Sequence, residues 1–186
     1  YMNILLIGTD TLHRRYIINK LLDMNVHLNT CIFQKKNITP KYNVTPKWHK
    51  KEKSELKKIF KDKTRNDLYR VKKIIRVSSL SLILKNNKKE IKNADFIIIS
   101  GADWIKGDLL KHIKNKSINI HMGIAEKYRG LDSNLWAWYH GDYKNIGVTL
   151  HELNHTLDTG KIFKKKFLNI SKINKVWLLR YYESDL

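Results

Sequence analysis

Ala94-Asp95-Phe96-Ile97-Ile98-Ile99-Ser100-Gly101 is a run of bulky apolar residues closed by a serine and a glycine. It shows no alternation of polar and apolar positions, so a strand built from it has to be covered on both faces, as in a parallel sheet. One further stretch has the same form, Met2-Asn3-Ile4-Leu5-Leu6-Ile7-Gly8 upstream, and Ser117-Ile118-Asn119-Ile120-His121 downstream reads as a third strand. After the first, Thr11 or Asp10 can cap a helix whose buried stripe is Tyr16, Ile17, Leu21 and Leu22, and residues 26–33 read as the next strand. Helices are predicted at 106–114 and 133–140, the latter with Leu135, Trp136 and Trp138 for packing, and strands at 147–153 and 161–170. Strands alternating with helices predict an α/β domain, a mostly parallel sheet with helices on both faces. In such sheets ligands bind beyond the carboxyl ends of the strands, where Ser100-Gly101 and Asn119-Ile120-His121 fall.

The 186 residues, 42% of them hydrophobic, suffice for one hydrophobic core, and a single domain over 1–186 is expected. Residues 34–76 differ from the rest. Lysines crowd there, Pro40 and Pro46 bracket a loop, and Leu56, Ile59, Phe60, Leu68 and Tyr69 suit one or two amphipathic helices laid over the core. This Lys-rich insertion is expected to be mobile. The single cysteine, Cys31, excludes an internal disulfide and a Cys-rich zinc site and fits a reducing compartment. No run reaches the roughly 20 apolar residues of a membrane span, no signal-peptide layout opens the chain, and Met2 reads as a native start, so the cytoplasm is the expected location.

Thirty-seven basic against 17 acidic residues give a formal charge of +20, which attracts anionic partners without naming one. Codon bias in an AT-rich genome would load exposed positions with lysine in the same way, so the charge is a soft signal. A sharper signal lies in Asn119 and His121, two apart at a strand end and therefore on one side of it, and in Asp158 further on. An asparagine amide and a protonated histidine donate hydrogen bonds to an oxygen that becomes negative, and an aspartate favours the imidazolium and relays protons. The set suits attack of a nucleophile on a carbonyl through a tetrahedral intermediate. A Gly-x-Ser-x-Gly elbow is missing, which disfavours serine-hydrolase chemistry. His151 and His155 have a zinc-like spacing only if helical, and a strand and turn are predicted there, so no metal is expected.

In order along the chain stand Asn119-Ile120-His121, Tyr128-Arg129-Gly130, Gly147-Val148-Thr149-Leu150-His151 and Asp158-Thr159-Gly160. These words, in this order and spacing, resemble the folate-dependent formyltransferases, a family whose catalytic domain is shared by methionyl-tRNA, glycinamide ribonucleotide and sugar-nucleotide enzymes. The resemblance is good over residues 100–170, loose over the first βαβ unit and absent from the Lys-rich stretch. It implies the Rossmann-like formyltransferase fold and transfer of a formyl group from 10-formyltetrahydrofolate to a primary amine. It further implies Asn119, His121 and Asp158 as catalytic residues and Thr149 and His151 as supports, although His151 reads equally well as a satisfied strand histidine. The folate would be held by Ser100, Gly101, Trp104, Leu153, Asn154, His155 and Asp158. One departure follows His121, where many relatives have Pro-Ser-Leu-Leu-Pro and this chain has Met122-Gly123-Ile124-Ala125-Glu126.

Three acceptors compete. A methionyl-tRNA enzyme would normally carry a further C-terminal domain, and a glycinamide ribonucleotide enzyme a Gly-rich phosphate loop after the first strand, where this chain has only Gly8. Arg14 and Arg15 could still hold a phosphate at the helix start, or simply face solvent. The wording from Tyr128 to Asp142 looks most like enzymes acting on nucleotide-linked amino sugars, the acceptor favoured here, with tRNA also open. A reading of another class is a basic nucleic-acid-binding protein on a disabled formyltransferase fold. It would use Lys35, Lys36, Lys47, Lys50, Lys51, Lys57 and Lys58, with Tyr42 and Trp48 stacking on bases.

Overall fold

A computed structural model describes residues 2–35, 46–61, 63–64 and 67–186. Its centre is a seven-stranded sheet: β1 (Ile4–Thr9), β2 (Leu28–Gln34), β3 (Lys73–Val77), β4 (Phe96–Ser100), β5 (Ser117–His121), β6 (Gly147–His151) and β7 (Ile162–Phe167), in the order β3-β2-β1-β4-β5-β6-β7. Strands β1 to β5 are parallel, and β6 and β7 run antiparallel to their neighbours. Helices are α1 (Leu12–Asp23), α2 (Pro46–Phe60), α3 (Ser81–Asn86), α4 (Lys88–Asn93), α5 (Gly107–Ile113), α6 (Ser133–Tyr139) and α7 (Trp177–Asp185).

Both faces of the parallel part are covered, which is why its strands carry continuous apolar runs. On one face Leu5, Ile7, Ile97 and Ile99 pack with Ile83, Ile91, Leu109 and Ile113 from α3, α4 and α5. On the other, Leu6, Cys31, Phe33 and Ile98 pack with Ile18 and Leu22 of α1. The buried side chains of α1 are His13, Ile17, Ile18 and Leu22, a stripe rotated from the expected one: Tyr16 and Leu21 are only half-buried. Thr11 stands at the N-cap without a side-chain cap bond, and Asp10 is engaged elsewhere, by Arg15 and Arg76.

Within 34–76 the described residues hold more structure than the composition announces. Helix α2 buries Phe60 completely against the rings of Tyr16 and Tyr181, and β3, which the lysines at 72 and 73 obscured, extends the sheet beyond β2. Tyr69, expected on the core, is exposed. Lys36, Tyr42 and the side chain of Trp48 lie outside the described residues. Among the described residues no helix is long and apolar enough to cross a membrane.

The strand order reverses direction between β1 and β4, the switch point beyond which a parallel sheet leaves a crevice. Gly8 lets the two strand ends close up there, since a Cβ at that position would lie 2.3 Å from the Ser100 carbonyl oxygen. One strand over, β5 ends in His121 and pairs with β6 in a register that sets Asn119 opposite His151 and His121 opposite Thr149. Two sequence words 30 residues apart are thus made neighbours by one ladder.

Candidate active site

Strand alternation puts Asn119 and His121 on the same face of β5, and the 152–160 loop returns Asp158 over them. Asp158 has φ 51°, a left-handed conformation that an aspartate tolerates better than most residues. The loop closes tightly at Gly160, where a Cβ would fall 1.9 Å from the Glu152 carbonyl oxygen. The carboxylate is 6% exposed, and three side chains and one amide converge on it. Its Oδ1 lies 3.3 Å from Asn119 Nδ2 and 3.5 Å from His151 Nε2, and its Oδ2 lies 3.4 Å from His121 Nδ1 and accepts from the Gly130 N–H at 2.8 Å.

Hydrogen-bond bookkeeping decides which groups are committed. The Nε2 of His121 is 2.9 Å from the Tyr128 carbonyl, which can only accept, so Nε2 carries a proton. His151 Nδ1 donates to the Glu152 carbonyl at 2.7 Å, leaving Nε2 to accept from Asn119 Nδ2 at 3.1 Å. Both amide hydrogens of Asn119 are therefore spent, one on His151 and the other, on the longer contact, on Asp158. Thr149 is wholly buried; its hydroxyl donates to the Gly123 carbonyl at 2.7 Å and accepts from the Ala125 N–H at 3.2 Å. It thereby pins the segment that replaces the expected proline-containing loop. Gly123 is part of that fit, since a Cβ there would approach His121 Nε2 to 2.7 Å and Ser133 Cβ to 2.5 Å.

Burial lowers the pKa of His121 below its ordinary value, and the neighbouring Asp158 carboxylate and Tyr128 carbonyl do not restore it. Asp158 does favour the imidazolium, as expected of an aspartate, but desolvation outweighs that attraction. For Asp158 burial pushes upward, but the neighbouring His151 and His121 rings and the Gly130 N–H together hold it below the usual carboxylate range. At rest near neutral pH the site therefore holds Asp158 as the carboxylate and favours the uncharged His121 imidazole.

Beside this cluster an open groove of about 920 Å³ runs between α5 and the 152–161 segment. Leu110 and Leu153 give it apolar wall, and Asn154, His155, Glu152 and Lys111 give it polar groups. Of the residues expected to hold folate, Leu153, Asn154 and His155 line this groove. Ser100, Gly101 and Trp104 do not: Ser100 is fully buried with an unpartnered hydroxyl, Gly101 packs on the Arg14 guanidinium, and Trp104 is exposed under the ammonium of Lys106. His155 is exposed, whereas His151 is buried against Asn119, so the two do not form a ligand pair. No group of three or more metal-ligating side chains occurs among the described residues.

The two arginines diverge. Arg15 forms a two-point ion pair with Asp10 at 2.6 and 3.0 Å, so its fork is occupied. Arg14 packs its guanidinium on Gly101 at the end of β4, and its Nε is buried without a partner. Desolvation and nearby Arg180 pull its pKa to about 10, still charged at neutral pH. Gly130 and Asn134, which the sequence reading did not assign roles, prove to be structural hubs; nothing short of the folded geometry marks Asn134, which exchanges two hydrogen bonds of 2.9 Å with Gly147.

A family profile described as Formyl transferase matches residues 6–176. Methionyl-tRNA formyltransferase of Finegoldia magna is 37% identical over 71 residues, 38% of this chain and 23% of that protein. Matched stretches therefore span about a quarter of the length of such curated relatives. The crystal structure of phosphoribosylglycinamide formyltransferase from Bacillus halodurans superposes with a TM-score of 0.66 at 15% identity, covering 99% of this chain and 90% of that one. That of the formyltransferase PseJ from Anoxybacillus kamchatkensis, in complex with UDP-4,6-dideoxy-4-formamido-L-AltNAc and tetrahydrofolate, gives 0.51 at 20% identity over 98% and 68%.

Proposed function

The chain belongs to the formyl transferase family, and from that premise we infer that it transfers a formyl group from 10-formyltetrahydrofolate to a primary amine. The observation that carries this reading is the convergence of Asn119, His121 and Asp158 on one point beside the groove. The groove offers a flat, amide-bearing ring the apolar side chains of Leu110 and Leu153 and polar groups of residues 152–155. A folate supplies the activated formyl group.

The uncharged amine attacks the formyl carbon, and the carbonyl oxygen gains negative charge. Asn119 donates to that oxygen with the N–H it holds more loosely, the one facing Asp158, and the His121 Nε2–H, held at rest by the Tyr128 carbonyl, becomes the second donor when the oxyanion takes that carbonyl's place. Asp158 takes up the proton that the attacking amine sheds and steadies His121 while the charge exists. His151 keeps Asn119 oriented through the shorter contact. Collapse of the tetrahedral intermediate expels the folate nitrogen, which takes up the proton Asp158 has collected as tetrahydrofolate leaves.

For the acceptor, an amino sugar carried on a nucleotide is the favoured class. The PseJ complex holds a formamido-sugar nucleotide, and Arg14 offers a charged, incompletely satisfied fork for an anionic group near the strand ends. A thermal-shift or calorimetric titration with a stable 10-formyltetrahydrofolate analogue tests the donor, because a ligand bound only by the folded chain raises its stability. No shift at saturation sinks the enzyme reading. An acceptor panel of amino-sugar nucleotides, glycinamide ribonucleotide and charged tRNA, followed by tetrahydrofolate release, then decides the substrate.

A nucleic-acid-binding reading draws on α2, where Lys47, Lys50, Lys51, Lys53, Lys57 and Lys58 are all exposed. RNA affinity falling steeply with salt, without folate binding, would favour it.

A further inference from the structure

Helix α7 lies beyond the stretch matched to the family, yet it carries two of the most deeply set charges in the molecule. Arg180, with its side chain 13% exposed, is ion-paired to Asp132 and to Glu183 at 3.1 Å, and lies 3.9 Å from Glu52 of α2. Glu183 is 1% exposed and accepts from Asn134 Nδ2 at 2.8 Å. Asn134 in turn exchanges its two bonds with Gly147, the first residue of β6.

These partners are the supports of the site. Asp132 follows Gly130 by two residues, and Gly130 supplies the only backbone N–H recorded on the Asp158 carboxylate among the described residues. Both are in the left-handed region, φ 83° for Gly130 and 56° for Asp132. A non-glycine residue held there is costly to keep unless its surroundings fix it. The Ser133 hydroxyl ties back to the Gly130 carbonyl at 3.1 Å, and the Arg180 guanidinium grips the other side of the turn. Strand β6, anchored through Asn134, carries Thr149 and His151.

We propose that Arg180, with Glu183, is a positioning residue: it clamps the 130–134 turn and the start of β6, and so holds the Gly130 amide on Asp158 and Asp158 against His121. The activity part of this inference rests on the formyl-transfer reading; the structural part does not. Neither α7 residue reaches the reacting atoms.

Two variants probe the clamp from opposite ends. Arg180→Lys keeps a charge but removes the planar fork, and Asp132→Asn leaves Arg180 paired with Glu183 and Glu52 so that the fold survives. Asp185→Asn is the control, since Asp185 ties α7 to Tyr16 and Lys20 at 2.6 and 2.8 Å, away from the turn. His121 is faced by Asp158 and His151, with Glu183 the next charge. Its ring signals, assigned with His121→Gln, are followed by NMR through a pH titration. With the carboxylate less well held, the His121 midpoint is expected to drop by ~0.3 unit or more in both clamp variants and to stay put in the control. Turnover is expected to fall ~10-fold or more, with donor KM little changed. Unchanged midpoints in both clamp variants overturn the proposal, as does an equal change in Asp185→Asn, which would mean general loosening. If the unaltered protein shows no formyl transfer, the enzyme reading fails while the His121 titration still decides the clamp.

Discussion

Asn119, His121 and Asp158 have non-equivalent tasks in the proposed reaction, and single substitutions separate them. Asn119→Ala removes one oxyanion donor and is expected to lower kcat by about 10²- to 10³-fold with modest change in donor binding, as measured by tetrahydrofolate release. His121→Ala and Asp158→Ala should each abolish turnover; rates within a factor of two of the parent would contradict the roles assigned to them. The remaining residue-scale expectation concerns Cys31, whose thiol burial and the nearby Asp10 carboxylate push up to about 12. The folded protein should leave it unlabelled by a thiol reagent at pH 8, with labelling appearing only in denaturant.

Between elements, the β5–β6 ladder and the segment after His121 form the unit that sets the site. Thr149 is the joint, because its hydroxyl satisfies both a buried carbonyl and a buried N–H across that junction. Thr149→Val keeps the shape and orphans both, so a loss of about 1–3 kcal/mol is expected in denaturant unfolding, with reduced turnover as His121 loses its fixed neighbour. An unchanged midpoint would mean that water replaces the hydroxyl. The sequence word containing Thr149 was readable as part of a family pattern. That it braces residues 123–125 was not, since the bond joins residues 26 apart.

For the molecule as a whole, two buried histidines make stability depend on pH. Desolvation pulls His13 well below its ordinary pKa, with Arg14 and Arg180 adding repulsion, and His121 is lowered as well. In the unfolded chain both titrate near the usual histidine value of about 6.5. As pH falls through that value the unfolded state binds protons the folded state refuses, so their contribution is complete above about pH 7 and declines as the solution is acidified toward the lowered folded values. The Tm should therefore fall between pH 7 and 5, and His13→Leu should flatten that slope. An identical slope in the variant would show that His13 is charged or solvated in the folded protein.

What was legible in advance follows from range. Continuous apolar runs require two covered faces, so residues 2–8 and 94–101 announced a buried parallel sheet through local composition alone. Strand β3 was hidden because it lies at an edge with lysines facing water, where the periodic signal is weakest. The proposed catalytic trio could be picked out in advance because its residue types and spacing are themselves the pattern; the rotated stripe of α1, with His13 inward, depends on what α1 packs against. By itself the sequence determined the sheet class, the candidate chemistry and the family, all of which reside in short words and their order. Only the tertiary structure decided that Arg15 belongs to Asp10 and Arg14 to the strand ends, that desolvation outweighs Asp158 at His121, and that Arg180 of α7 pairs with Asp132 in the turn behind the site. Those outcomes arise from burial and from contacts between distant segments, and neither exists until the chain is folded.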